Sequence, residues 1–142
     1  MSPSATETAF VDTLFTTLLT LLEDARTLIG SGRMHAITAD LPAEARMVAA
    51  RDLSKLTSQG TAAMSVLLMY KALQSGQADE IEDPATQLEE LYGETVRNSG
   101  EPESYGPVVP AALVDLRRRG DDIFGKIGEV RSLILRHLGV PG

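Results

Sequence analysis

The sequence predicts an all-α fold on three observations. Apolar residues recur at three- and four-residue spacing in three long runs, helix start and stop residues bracket those runs, and aromatic residues are scarce. Of 142 residues, 43% are hydrophobic and only 4% aromatic, with Leu and Ala leading, which favours helix over strand. A chain of this length reads as one domain that buries roughly 68–70% of its unfolded surface. The expected architecture is an antiparallel three-helix up-down-up bundle, with a short extra helix in the connection between the second and third long helices.

The first helix, about 5–29, opens at Ser4-Ala5-Thr6-Glu7, an S-x-x-E capping box. Phe10, Leu14, Leu18, Leu21, Ala25 and Leu28 follow as one stripe until Gly30-Ser31-Gly32 ends it. The second helix, about 41–75, starts at Asp40-Leu41-Pro42, where proline in a first turn costs little. Ala49, Leu53, Leu56, Gly60, Ala63, Leu67 and Tyr70 then keep a heptad rhythm up to the stop at Gly76. At about 1.5 Å per residue this helix spans roughly 50 Å.

Between Ala62 and Leu73 the second helix is apolar around nearly its whole circumference, so it is expected to be buried on more than one side. Either the other two long helices cover both sides, or a second copy does. A homodimer seam on this helix would use Gly60, Ala63, Met64, Leu67 and Tyr70, the small residues allowing close approach.

The connection 77–109 is acidic and expected to be mobile. Asp79 to Glu103 contains nine acids against Arg97 alone; it carries −8 and leaves the remainder of the −7 chain near +1. Inside it a weak helix, 84–98, is marked by Asp83-Pro84, by Leu88, Leu91 and Val96, and by a stop at Asn98-Ser99-Gly100. This helix is expected to be short and peripheral, and residues 100 to 110 read as a loop. The acidic charge repels nucleic acid and steers basic protein surfaces, which makes Glu89, Glu90 and Glu94 candidate partner contacts beside the plainer role of a solvated face. The third long helix, about 110–138, carries Leu113, Leu116, Gly120, Ile123, Ile127, Val130 and Ile134 at alternating spacings of three and four.

No catalytic, cofactor or metal site is expected. There is no cysteine, neither His35 nor His137 has a Glu three residues before it, and no phosphate-cradling glycine pattern or G-x-S-x-G elbow occurs. His137, in a last helical turn, complements the helix dipole. Arg117, Arg118 and Arg119 spread over about 200° of helix surface, so they cannot all face one partner. They either pair with Asp115, Asp121 and Asp122 in solvent or contribute arginines to a protein contact. No basic leader precedes the first apolar residues, and the longest apolar run, Val66 to Tyr70, is far below the ~20 residues of a membrane span, so a soluble cytoplasmic protein is expected.

The segment LPAEARMVAARDLSKLTSQGTAAMSVLLMYKALQSGQ resembles the alphaproteobacterial RcdA family, the regulators of CtrA degradation. The matching features are Leu41-Pro42, Leu56-Thr57, Ser65-x-Leu67-Leu68, Lys71-Ala72 and Gly76. Leu21-x-Glu23, the Gly30-x-Gly32-Arg33 turn, and Pro110, Leu113, Leu116 and Val130 are also similar, so the likeness covers most of the chain. It departs from the family at Val66, where members carry Trp before the Leu pair, and the family's long C-terminal tail has no counterpart in the four residues after Leu138. The resemblance implies a dimeric, non-enzymatic adaptor that presents substrates, including a cell-cycle response regulator, to the ClpXP protease at the cell pole, together with other adaptors. The alternatives are a structural or regulatory homodimer with one protein partner, and a bundle holding a small ligand near Tyr70.

Overall fold

The computed structural model describes residues 5–97 and 110–139. Five α-helices account for most of them: α1 (Ala5–Gly30), α2 (Arg33–Thr38), α3 (Ala43–Gln74), α4 (Pro84–Val96) and α5 (Ala111–His137), with a single 3-10 turn at Ala78–Glu80. The all-α expectation therefore holds for the described residues. Ser4 of the capping box, the Asn98-Ser99-Gly100 stop, and Glu101 and Glu103 lie outside them.

Each long helix follows its stripe. Leu14, Leu18, Leu21, Ala25 and Leu28 of α1 are buried, joined by Val11, whereas Phe10 is half-buried. All seven stripe residues of α5 are buried, with Phe124, Leu133 and Leu135 in addition. Helix ends depart from the expected capping. Pro42 occupies the cap position of α3 instead of its first turn, and its carbonyl accepts from Arg46 N at 3.0 Å; Asp40 contributes no cap bond. Beyond Gly32, which takes φ 77°, the chain re-enters helix for six residues. This α2 was not expected, because the glycine pair reads as a full stop; Met34 and Ile37 turn its apolar side onto the core.

Named contacts set the helix directions. Glu7 meets His137 and Asp24 meets Arg119, so α1 and α5 run antiparallel. Asp52 meets Arg117, Leu56 lies under Gly120, and Tyr70 meets His137, so α3 and α5 run the same way. The up-down-up order is thereby corrected, since it would place α1 and α5 parallel. The reason is α4. It is not peripheral, as Leu88 and Thr95 are fully buried, and it carries the chain back along α3 and α5 before α5 begins. Thirteen residues of helix cover about 20 Å, which brings the chain from the end of α3 back to the level of Gln59 and Arg117, within about two turns of the start of α5.

The result places α3 and α5 side by side, with α1 packed against both and α4 packed against both. One apolar cluster runs through all four. This packing accounts for most of the apolar circumference of α3, which is covered by α1, α4 and α5 of its own chain except at Leu68 and, in part, Met64.

Candidate protein-binding surfaces

The five residues expected to form a dimer seam do not form an outward face. Ala63 and Leu67 are fully buried, Tyr70 is 1% exposed, and Gly60 is buried, where a Cβ would lie 2.6 Å from Leu22 Cδ2. Only Met64 is partly exposed. Their apolar character is satisfied within the chain, so a seam through these four residues is corrected.

Beside the exposed Glu44, Arg46 and Arg51 of its first turns, α3 presents outward a neighbouring stripe: Met47, Ala50, Ser54, Thr57, Thr61, Met64 and Leu68, at spacings alternating three and four and about 32 Å long. It holds no charged residue. Met47 is 63% exposed and Leu68 50%. Its Thr hydroxyls are turned back onto the helix: Thr57 donates to the Leu53 carbonyl and Thr61 to the Thr57 carbonyl, both at 2.9 Å, and beside them Ser65 donates to Thr61 at 3.2 Å. Donors used this way leave methyl groups facing water. On α1, Thr16, Thr17 and Thr20 make the same bonds to Asp12, Thr13 and Thr16, next to Leu19 at 42% exposure. Lys71 links the two helices, bonding Asp12 at 2.7 Å while lying 5.0 Å over the Phe15 ring.

The three arginines part company, as their angular spread requires. Arg117 points to α3, where Nη2 reaches Asp52 Oδ1 at 2.5 Å and Nη1 reaches Gln59 Oε1 at 3.1 Å; Asp121 is a longer contact at 3.5 Å. Gln59 in turn donates through Nε2 to the carbonyls of Thr95 and Arg97, at 3.0 and 3.1 Å. Asp52 and Gln59 are buried, so this is an internal polar network that ties α3, α4 and α5 together. Arg118 points outward, 76% exposed and paired with Asp115. Arg119 turns to α1: its hydrogen bond to Asp24 holds the guanidinium above its ordinary pKa against the opposing effect of burial, with Asp115 adding a second bond. Only Arg118 remains a fully outward cation.

Among the acids, Glu89 is bound to Arg131 at 2.7 Å, Glu90 is exposed, and Glu94 shares a cleft of about 270 Å³ with Lys55, Ser58, Gln59 and Arg97. The network of Asp52 and Gln59 was missed in the sequence, although both fall in line with Val66 at seven-residue spacing on a buried face.

At the opposite end Tyr70 packs edge-on against His137, with centroids 5.8 Å apart, and His137 Nε2 lies 3.4 Å from Glu7. The Tyr70 hydroxyl is buried and finds no hydrogen-bond partner among the described residues. Desolvation first, and the charge of Glu7 next, raise its pKa above the ordinary tyrosine value, while the nearby Thr8 hydroxyl pulls the other way.

The described residues contain no group of three or more His, Asp or Glu side chains placed to hold a metal, and no helix among them is long and apolar enough to cross a membrane. The described residues define a class: an all-helical bundle with an uncharged outward stripe on α3 from Ser54 to Leu68 and an acidic fourth helix. Comparison of the chain with protein-family models, with curated proteins and with solved structures finds no match.

Proposed function

We propose that this chain is a non-enzymatic protein–protein adaptor that helps deliver cell-cycle regulatory substrates to the ClpXP protease in the cytoplasm, at the cell pole. The observation that carries a protein-binding role is the uncharged stripe from Met47 to Leu68. A bundle helix facing only water presents charge on its outer side, whereas beyond the exposed Arg46 and Arg51 this face presents hydroxyl, methyl and thioether groups over about 21 Å, from Ser54 to Leu68. The identity of the protease and cargo rests on the RcdA resemblance of residues 41–77.

The test is degradation of a response-regulator substrate by purified ClpXP in the presence of the other family adaptors. The wild-type chain should accelerate it, and Leu68→Glu, which charges the stripe without touching the core, should abolish the acceleration. No acceleration by the wild type, with no protease or adaptor co-purifying, overturns the proposal.

A second reading is a structural or regulatory homodimer with one partner. The same stripe favours it, because two copies of a −7 chain meet most easily where neither carries charge. Light scattering should then give a dimer mass that Leu68→Glu halves; Ala63→Glu, placing a carboxylate in the core, should unfold the chain instead of dissociating it. The ligand-binding reading stands third: a cleft at Lys55 and Arg97 and another at Glu23 and Gly30 both lie away from Tyr70.

A further inference from the structure

A helix of thirteen residues is marginal alone in water, so α4 is helical because the groove between α3 and α5 holds it. Its apolar hold is small: Leu88 and Thr95 are fully buried, while Leu91 and Tyr92 are half-buried against the core. The remaining attachments are polar, one at the rim and one buried. Glu89 bonds Arg131, whose guanidinium lies 5.3 Å over the Tyr92 ring, and Gln59 grips the carbonyls of Thr95 and Arg97. Entry into α4 is strained, because Asp83 adopts φ 45°, a left-handed conformation that costs a non-glycine residue about 1–2 kcal/mol.

The groove beneath is continuous. On α3 its floor is Gln59, Ala62, Val66, Met69 and Leu73, at alternating spacings of three and four, and on α5 Gly128 leaves room for the Tyr92 hydroxyl, which a Cβ there would approach to 3.2 Å. Of the nearby cations, Arg131 faces Glu89 and Lys55 shares the cleft with Glu94, while Arg117 is held inward by Asp52 and Asp121. Meanwhile α1, α3 and α5 pack against one another directly, so their mutual contacts do not pass through α4.

We propose that α4 is an intramolecular placeholder, and that the groove between α3 and α5 receives an acidic amphipathic helix of a partner protein, which displaces α4. Charge complementarity selects that occupant. The groove is apolar along its floor from Ala62 to Leu73 and carries Lys55 and Arg131 at its edge, and α4, the helix it already holds, carries Glu89, Glu90 and Glu94 and no base. The partner helix presents an apolar residue at the position of Leu88, apolar or aromatic residues three and four further on, and a carboxylate next to the first, against Arg131. This is helix-in-groove recognition with a built-in competitor whose tether gives it a high effective concentration. The proposal goes beyond the adaptor reading and does not use the stripe on α3.

The test uses the full chain and a labelled synthetic peptide of residues 82–97. Wild-type chain should bind the peptide weakly. Glu89→Arg, which sets a cation against Arg131 and loosens α4 while leaving the groove intact, should bind it about ten-fold tighter as the tethered competitor weakens. The double variant Glu89→Arg with Arg131→Glu restores the internal pair and should lose that gain. The peptide with Glu89, Glu90 and Glu94 changed to lysine should bind about ten-fold more weakly than the unchanged one to the Glu89→Arg chain. Hydrogen exchange should show α4 amides opening in Glu89→Arg while α1, α3 and α5 stay protected; Leu88→Ala should give the same pattern. The proposal is overturned if neither loosened variant binds the peptide better than wild type, or if α4 exchanges only with the core helices. Concentration-dependent dimers of Glu89→Arg without peptide binding would overturn it too, in favour of α4 exchange between copies.

Discussion

The Tyr70 hydroxyl is buried without a well-formed hydrogen bond, the nearby Thr8 hydroxyl being engaged by Gln74 at 3.2 Å, and such a group costs the fold about 1–3 kcal/mol in lost hydration. Tyr70→Phe removes that cost and should raise stability by up to about 1 kcal/mol in urea unfolding, the ring packing against His137 being kept. The raised phenol pKa gives a pH dependence of definite sign. Above the ordinary tyrosine value of about 10 the unfolded chain loses its proton while the folded chain keeps it, so stability present below that pH should fall as pH rises through the folded value. In Tyr70→Phe that part of the alkaline decline should vanish; an identical alkaline profile would assign it to other groups. Gly120 differs in kind. A methyl there would lie 2.5 Å from Leu56 Cδ1 and 3.3 Å from Phe124 Cε2, both side chains being buried, so Gly120→Ala should destabilise by about 1–3 kcal/mol despite its better helix propensity. Gly93 and Gly125 have open space, and alanine at either should stabilise by up to about 1 kcal/mol in the same measurement. The heptad position of Gly120 was visible in the sequence, but the close approach of α5 to α3 that requires it was not.

Among the elements, α4 is the one whose role the periodicity understated. A sparse stripe of Leu88, Leu91 and Val96 in an acidic run reads as a peripheral helix; burial of Thr95 and the bonds from Gln59 make it a packed member of the bundle instead. The reason is that its anchoring polar partners, Asp52, Gln59 and Arg117, lie in two other helices, and local pattern carries no information about which side chains meet across the bundle. The arginine run shows the same limit, since spacing separated the three side chains in angle but not in partner. Arg117→Ala takes a charged partner from a buried carboxylate and a buried amide, and should cost about 2–3 kcal/mol by denaturant unfolding, below the 3–5 of a fully buried pair because Arg117 is 23% exposed. Arg118→Ala, at an exposed pair, should stay within about 0.5 kcal/mol of wild type. Equal losses at the two positions would contradict the internal network.

For the whole molecule, class and helix extents were legible in the sequence because each long helix buries a regular stripe. Topology was not. Whether α5 runs parallel to α1 or to α3 depends on whether the connection holding α4 runs back along the bundle, which its weak stripe left undecided. The contact of Glu7 with His137, 3.4 Å apart and 130 residues distant in sequence, bears on how the protein is made. A ribosome releases α1 more than 100 residues before the end of α5, roughly 5–20 s earlier at ordinary elongation rates. During that interval α3 can cover part of α1, but the side of α1 that α5 will cover, and the Tyr70 end of the core, have no lid. Nascent chains of this fold therefore carry an adhesive surface until the last helix emerges, and dependence on chaperones during translation follows from the order of its helices, independent of how stable the finished bundle is.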